Sequence, residues 1–229
     1  MNALTVGFAA GASLPLLAGA IVGLLWQPPR WLVAVALAFA AGALIAAVSF
    51  DLFEESYSTG GVLRTGLGFA AGAAVFVVAD ALLDRVTTAN PTGFALLAGV
   101  TLDGVPENTA LGVSLNAGGS LALLVAVFVS NFPEALAGAV SMRRQGLSRG
   151  SIVALWTGAM VLLGAAVLIG RLVFAGASPE QLALPLAFAG GAVLASVIDT
   201  LAPEAFGEGG PFVALASAAG FFTAFVLSA

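Results

Sequence analysis

The stretch that decides the reading of this chain runs Thr101-Leu-Asp-Gly-Val-Pro-Glu-Asn-Thr-Ala110 and is echoed by Phe128-Val-Ser-Asn-Phe-Pro-Glu-Ala-Leu-Ala137. Each half sets a Pro-Glu pair and further polar groups inside an apolar run of helix length. Four of those groups stand out: Asp103, Glu107, Asn131 and Glu134. In a segment that crosses a bilayer, each carboxylate costs about 2.5–3.5 kcal/mol on insertion scales, so three cost about 8–10 kcal/mol. A bound cation is the simplest source of compensation.

The surrounding composition places these segments in lipid. The chain is 60% hydrophobic and 8% charged, with a mean hydropathy of +1.10. So little charge on a chain of this size identifies lipid as the main solvent. There is no cysteine and no histidine, and all seven basic residues are arginine. Thiolate and imidazole chemistry are therefore excluded. No nucleophile–base pair or cofactor motif is visible, so neither an enzyme nor a cofactor is expected. A net charge of −5 argues against nucleic acid as a partner and supplies no polybasic patch for anionic lipid. The N-terminus has no basic residues ahead of its apolar run and reads as a retained membrane helix.

A spanning helix needs about 20 apolar residues. Eight segments qualify, at roughly 3–25, 31–54, 62–84, 92–115, 119–142, 150–173, 182–204 and 211–228. Short breaks with turn chemistry separate them, including Gln27-Pro-Pro-Arg30, Ser58-Thr-Gly-Gly61, Thr87-Thr-Ala-Asn-Pro91 and Gly207-Glu-Gly-Gly-Pro211. The expectation is an all-α integral membrane protein of eight transmembrane helices in one polytopic domain, residues 1–229. One set of loops carries Arg30, Arg85, Arg143, Arg144 and Arg149, and the opposite set carries Arg64 and Arg171. The positive-inside rule then puts both termini outside a cell (inner) membrane.

Two internal repeats organise these segments. Residues 103–115 match 130–142 at an offset of 27, pairing Pro106 with Pro133 and Glu107 with Glu134. Residues 37–57 match 186–206 at an offset of 149, through Leu-Ala-Phe-Ala-x-Gly-Ala and later Glu55 with Glu204. Segments 2 and 7, like segments 4 and 5, then run in opposite directions. That is the pattern of inverted transporter repeats, a three-helix unit on either side of a central hairpin (3+2+3). Glycine-rich stretches in segments 2, 3 and 7 suit close helix packing.

Asp103 and Glu107 share a helix face at i and i+4, and Asn131 and Glu134 share another at i and i+3. Measured from the turn near residue 117, Glu107, Asn131, Asp103 and Glu134 lie roughly 16, 20, 22 and 25 Å along their helices. The hairpin thus brings them to overlapping depths. Pro106 and Pro133 free the carbonyls of Leu102 and Val129, adding oxygen ligands or points of bending. No intramembrane Lys or Arg is available, so an all-oxygen site points to a hard divalent ion, with zinc or iron less ideal. The competing reading is that protonated acids merely join two helices. Asp51, Glu54, Glu55, Asp80, Asp84 and Glu204 end segments and read as solvated, while Asp199 lies deeper and could line a pathway. Tyr57, the three tryptophans and Arg171 read as interfacial anchors or solvated groups, and Met142 and Met160 as packing.

The pair Asp103-Gly-Val-Pro-Glu-Asn108 and Ser130-Asn-Phe-Pro-Glu-Ala135 resembles the central motifs of the ZIP metal transporters, His-Asn-x-Pro-Glu-Gly in the fourth helix and a similar sequence in the fifth. Ile198-Asp-Thr-Leu-Ala-Pro-Glu204 resembles the seventh-helix His-Glu-x-x-Pro-Glu of that family. The resemblance implies a transporter that carries a divalent metal ion into the cytoplasm, with Asp103, Glu107 and Glu134 in the principal site and Asn131 beside it. It puts Asp199 and Glu204 on the exit route. Asp51, Ser130 and Asn108 are further pathway candidates. Here Asp103 replaces the motif histidine, Gly104 the asparagine, and Asn108 and Ala135 the glycines. One oxygen-ligated site follows rather than a two-metal centre, and zinc, manganese, iron, cadmium and magnesium stay open as the transported ion. A proton- or sodium-coupled carrier of an organic solute and a non-transporting metal-binding membrane protein are the alternatives, and homodimerisation is left open.

Overall fold

The computed structural model describes residues 3–87 and 93–229, the side chains of 86, 87 and 93–96 excepted. The break expected across 88–91 lies outside the described residues. The described residues are helical apart from short connections. In order they form α1 (Ala3–Leu25), α2 (Arg30–Ala47), a π-helical stretch (Val48–Phe53), α3 (Glu54–Thr87), α4 (Gly93–Ser114), α5 (Leu121–Arg144), α6 (Arg149–Val173), α7 (Pro179–Ser196), a second π-helical stretch (Val197–Leu201), α8 (Ala202–Gly209), a 3₁₀ turn (Gly210–Phe212) and α9 (Val213–Ser228).

Several of these are long and apolar enough to cross a membrane: α1, α5, α6 and the two composite runs Arg30–Arg85 and Pro179–Ser228. A run of 56 residues would be about 84 Å long if straight, far more than one crossing needs. Each composite run is broken by a glycine that no other residue type replaces easily. Gly61 has φ 72° and ψ 171° inside α3, and Gly210 has φ 67° after α8. Helix α4 has spanning length, but its carboxylates and amide keep it out of the strongly apolar set.

Boundaries differ from the sequence expectation where side chains extend a helix. The second segment continues past residue 54 to the Gly61 kink, with Ser58 and Thr59 hydroxyls donating back to the Glu55 carbonyl. The seventh starts earlier, at Pro179, because Ser178 and Gln181 close a capping box.

The principal packing partners form matched sets: α1 on α5 and α4 on α6, α2 on α9 and α3 on α7, α2 on α5 and α4 on α7. Glycines seat the tightest of them. A Cβ on Gly42 would overlap the Ser217 carbonyl oxygen, and one on Gly220 that of Phe39; together these join α2 to α9. A Cβ on Gly191 would overlap the Phe69 carbonyl oxygen, and one on Gly72 that of Phe188, joining α3 to α7 in the same way. Gly42 with Gly191, Phe39 with Phe188, and the starts of the two π-helical stretches, Val48 with Val197, are all separated by the same 149 residues as the sequence repeat.

Polar contacts mark two ends of the bundle. At one, Arg30 pairs with Glu208 at 3.5 Å. At the other, Ser120 donates to Asp51 at 2.6 Å, Ser228 to Asp51 at 3.2 Å, Ser56 to the Ala183 carbonyl at 2.7 Å, and Arg171 to Asn116. The tryptophans divide. Trp26 and Trp31 are exposed, as interfacial anchors require, but Trp156 is fully buried. It fills the gap left by Gly138 in a core of α1, α5 and α6, with Met142 beside it, so it is a packing residue rather than an anchor.

Candidate metal centre

Helices α4 and α5 continue through Pro106 and Pro133 and carry the motif acids inside the bundle. Glu107 is 1% exposed. Its Oε2 accepts from Ser130 Oγ of α5 at 3.1 Å, a hydroxyl it shares with the Val127 carbonyl, and its Oε1 has no partner. This bond ties the two halves of the motif directly together.

Asp103 faces another neighbour. It is 5% exposed, and its Oδ1 accepts from Ser196 at 2.9 Å and from Thr200 at 3.4 Å, both in the segment formed by α7 and its π-helical continuation. Asn131 is fully buried and its amide donates to the Ala12 carbonyl of α1 at 2.7 Å; Asn108, equally buried, donates to the Gly104 carbonyl at 2.8 Å. The side-chain oxygens of both amides lack a hydrogen-bond partner.

Glu134 is half-buried and close enough to Glu107, Asp103 and Glu204 to be repelled by each. Asp103 is in turn repelled by Asp80 of α3 and by Asp199, and Asp80 and Asp199 repel each other. Asp199 and Glu204 are exposed, and Asp51 lies apart at the Ser120–Ser228 end. The chain of acids from Glu134 through Glu107 and Asp103 to Asp80 and Asp199 is therefore continuous electrostatically, with no arginine paired to any of its members among the described residues. They do not close into a cage: among the described residues no group of three or more Asp or Glu side chains stands close enough to hold one ion.

Such an arrangement favours a cation on two counts. Carboxylates with no basic partner, once ionised, place a strongly negative potential in a low-dielectric interior. Three buried acceptor oxygens, on Glu107, Asn108 and Asn131, have no donor, a condition that costs about 1–3 kcal/mol per group unless something positive supplies the contact. Oxygen-only donors suit a hard divalent ion. Ser196 and Thr200 are partners that the sequence motifs do not single out. Their signal is the i, i+4 spacing of two hydroxyls around Asp199, visible only once α7 is known to face α4.

No family model matches the chain. A protein of Arabidopsis thaliana named "Putative zinc transporter" is 30% identical over 196 residues, which cover 80% of this chain. The aligned part is 31% of that protein's length, so the chain spans about a third of the relative it matches.

Proposed function

We propose that this chain is a ZIP-type transporter that carries a divalent metal ion across the membrane into the cytoplasm. The observation that carries the reading is Glu107: a buried carboxylate on a Pro-Glu helix, bonded to Ser130 of the echoing helix, with one oxygen left without a donor. The zinc-transporter relative supports metal transport in general, and the motifs of α4, α5 and the seventh segment narrow it to the ZIP type.

In this reading the chain crosses the membrane eight times, with breaks at Gly61 and Gly210 dividing the two composite runs. The 149-residue offset shared by the sequence repeat, the reciprocal glycines and the π-helical stretches supports two inverted three-helix repeats around the α4–α5 hairpin. The arginine distribution puts both termini outside. Glu107, Glu134 and Asp103 are the metal carboxylates and Asn131 the neutral oxygen ligand. Since the acids do not form a closed cage, binding requires α4 and α5 to draw together around the ion, with Pro106 and Pro133 as the points that yield. Asp80, Asp199 and Glu204 receive the ion on its way in. Ser196 and Thr200 hold Asp103 in line between Glu107 and that second group.

Uptake by proteoliposomes tests the assignment. A panel of zinc, manganese, iron, cobalt, cadmium and magnesium should reveal at least one ion whose entry is abolished by Glu107→Ala and by Glu134→Ala. Normal transport of every ion by both variants would remove the site from α4 and α5. An organic-solute carrier is disfavoured by the cavity beside α4, whose lining offers almost no hydrogen-bonding groups.

A further inference from the structure

Ser130 is fully buried on α5 and has two acceptors for one proton. Its Oγ stands 3.1 Å from Glu107 Oε2 on α4 and 3.1 Å from the carbonyl of Val127, one turn back on its own helix. A hydroxyl carries a single O–H donor, so the two bonds share it. The acceptors differ in what they lose when that donor turns away. The Val127 carbonyl already receives the backbone N–H of Asn131 inside the helix and needs no second donor. Glu107 has no other donor among the described residues. Its Oε1 is without a partner, and without Ser130 its Oε2 would be too.

An arriving cation changes that balance. On Oε1 it takes up much of the charge of the ionised carboxylate, and a hydrogen bond to a neutral acceptor is about half as strong as one to a charged acceptor. Ser130 then has an equally close alternative in Val127, so its donor is never orphaned. The bond to Glu107 therefore stabilises the empty site more than the loaded one. An interaction that is stronger in the empty state weakens binding, by linkage, and eases release. Ser196 and Thr200 differ in this respect: their hydroxyls have no second acceptor among the described residues and stay with Asp103.

We infer that Ser130 is a positioning residue that tunes release of the ion. It holds Glu107 while the site is empty, turns its hydroxyl to the Val127 carbonyl when the ion arrives, and takes Glu107 back as the ion leaves. The inference rests on the reading of Glu107 as a metal ligand and adds what sets how readily that ligand lets go.

Titration of the purified full chain with zinc(II) and with manganese(II), beside initial rates of uptake by proteoliposomes, tests it. Ser130→Ala leaves the empty carboxylate without a donor. It should bind the transported ion about three- to tenfold more tightly, with KM and kcat for uptake both lowered. Ser130→Thr keeps a hydroxyl that can reach a carbonyl of its own helix, and should stay within about twofold of wild type in all three constants. Ser130→Cys, close to serine in size but a weak donor, should fall between them, which separates the lost bond from a packing defect. The rise in melting temperature on adding the ion should also be larger in Ser130→Ala than in the wild type, a readout that does not depend on transport. Weaker or unchanged binding by Ser130→Ala would overturn the inference, as would equal tightening in Ser130→Thr. If Glu107→Ala takes up every ion normally, the metal reading falls and this inference with it. If Glu107→Ala is inactive while Ser130→Ala matches the wild type, the inference falls alone.

Discussion

Glutamate to glutamine at position 107 should separate the demands of folding from those of function. Glu107 is 1% exposed, its Oε2 has a hydrogen bond from Ser130, and its Oε1 has none. An ionised carboxylate held that way carries a desolvation penalty of several kcal/mol, of which one charge-assisted hydrogen bond returns about 1.5–3 kcal/mol. Glutamine keeps the shape and can still accept from Ser130, but it brings no charge into the interior. A net gain of about 1–2 kcal/mol for the metal-free protein is the expected result, or roughly 2–8 °C in melting temperature for a chain of this size. Metal affinity moves the other way. Loss of one charged ligand contact worth about 1.5–3 kcal/mol weakens binding by about 10- to 150-fold. The assay is thermal unfolding in detergent, with chelator and then with each divalent ion, beside uptake by proteoliposomes. A metal-free variant that melts several degrees below the wild type, or that still takes up metal at the wild-type rate, would refute the reasoning.

Other perturbations follow from the same contacts. A saturating transported ion at about 100 times its Kd should stabilise the wild-type protein by about 2.7 kcal/mol, and Glu134→Gln should remove most of that shift in a thermal scan with and without metal. Ser196→Ala takes the shorter of two hydrogen bonds from Asp103; it should cost about 1–3 kcal/mol in stability and slow uptake, while Thr200→Ala, at the longer contact, should do less of both in the same assays. Gly42→Val and Gly191→Val should each destabilise by more than about 3 kcal/mol, because neither backbone pair can close over a side chain; reduced yield of folded protein on size-exclusion chromatography would register it. Ser120→Ala removes both the cap of α5 and a bond to Asp51, and should lower the melting temperature more than Ser228→Ala, which removes the longer bond to Asp51 and a bond back to the Ala224 carbonyl of its own helix.

Much of the architecture is legible in the chain because lipid imposes simple demands. Apolar runs must be helical, turns must collect Gly, Pro and Asn, and costly acids must have a purpose, so the Asp103–Glu107 and Asn131–Glu134 pairs stand out before any coordinates exist. The kink at Gly61 falls in an expected break for the same reason. Orientation of a polar group around a helix is harder to read. Asp103 and Glu107 share a face by spacing, yet one turns to α7 and the other to α5, since a helix face is wide enough to meet two neighbours. The π-helical stretches at Val48–Phe53 and Val197–Leu201 leave no compositional mark; a single wider turn changes the hydrogen-bond register without changing the apolar pattern. Trp156 is misleading because its indole nitrogen suits an interface, but the hole opposite Gly138 depends on which helix lies across from it.

The reciprocal glycine contacts have a mechanical consequence. Where α2 meets α9 and α3 meets α7, backbone lies on backbone, with no side chain between to bend or change rotamer. Those seams are stiff. The boundary between α4 and the α3–α7 pair is instead an open groove lined by side chains. A load applied at Glu107 therefore meets unequal compliance: the helix pairs move as struts, and displacement collects along the groove.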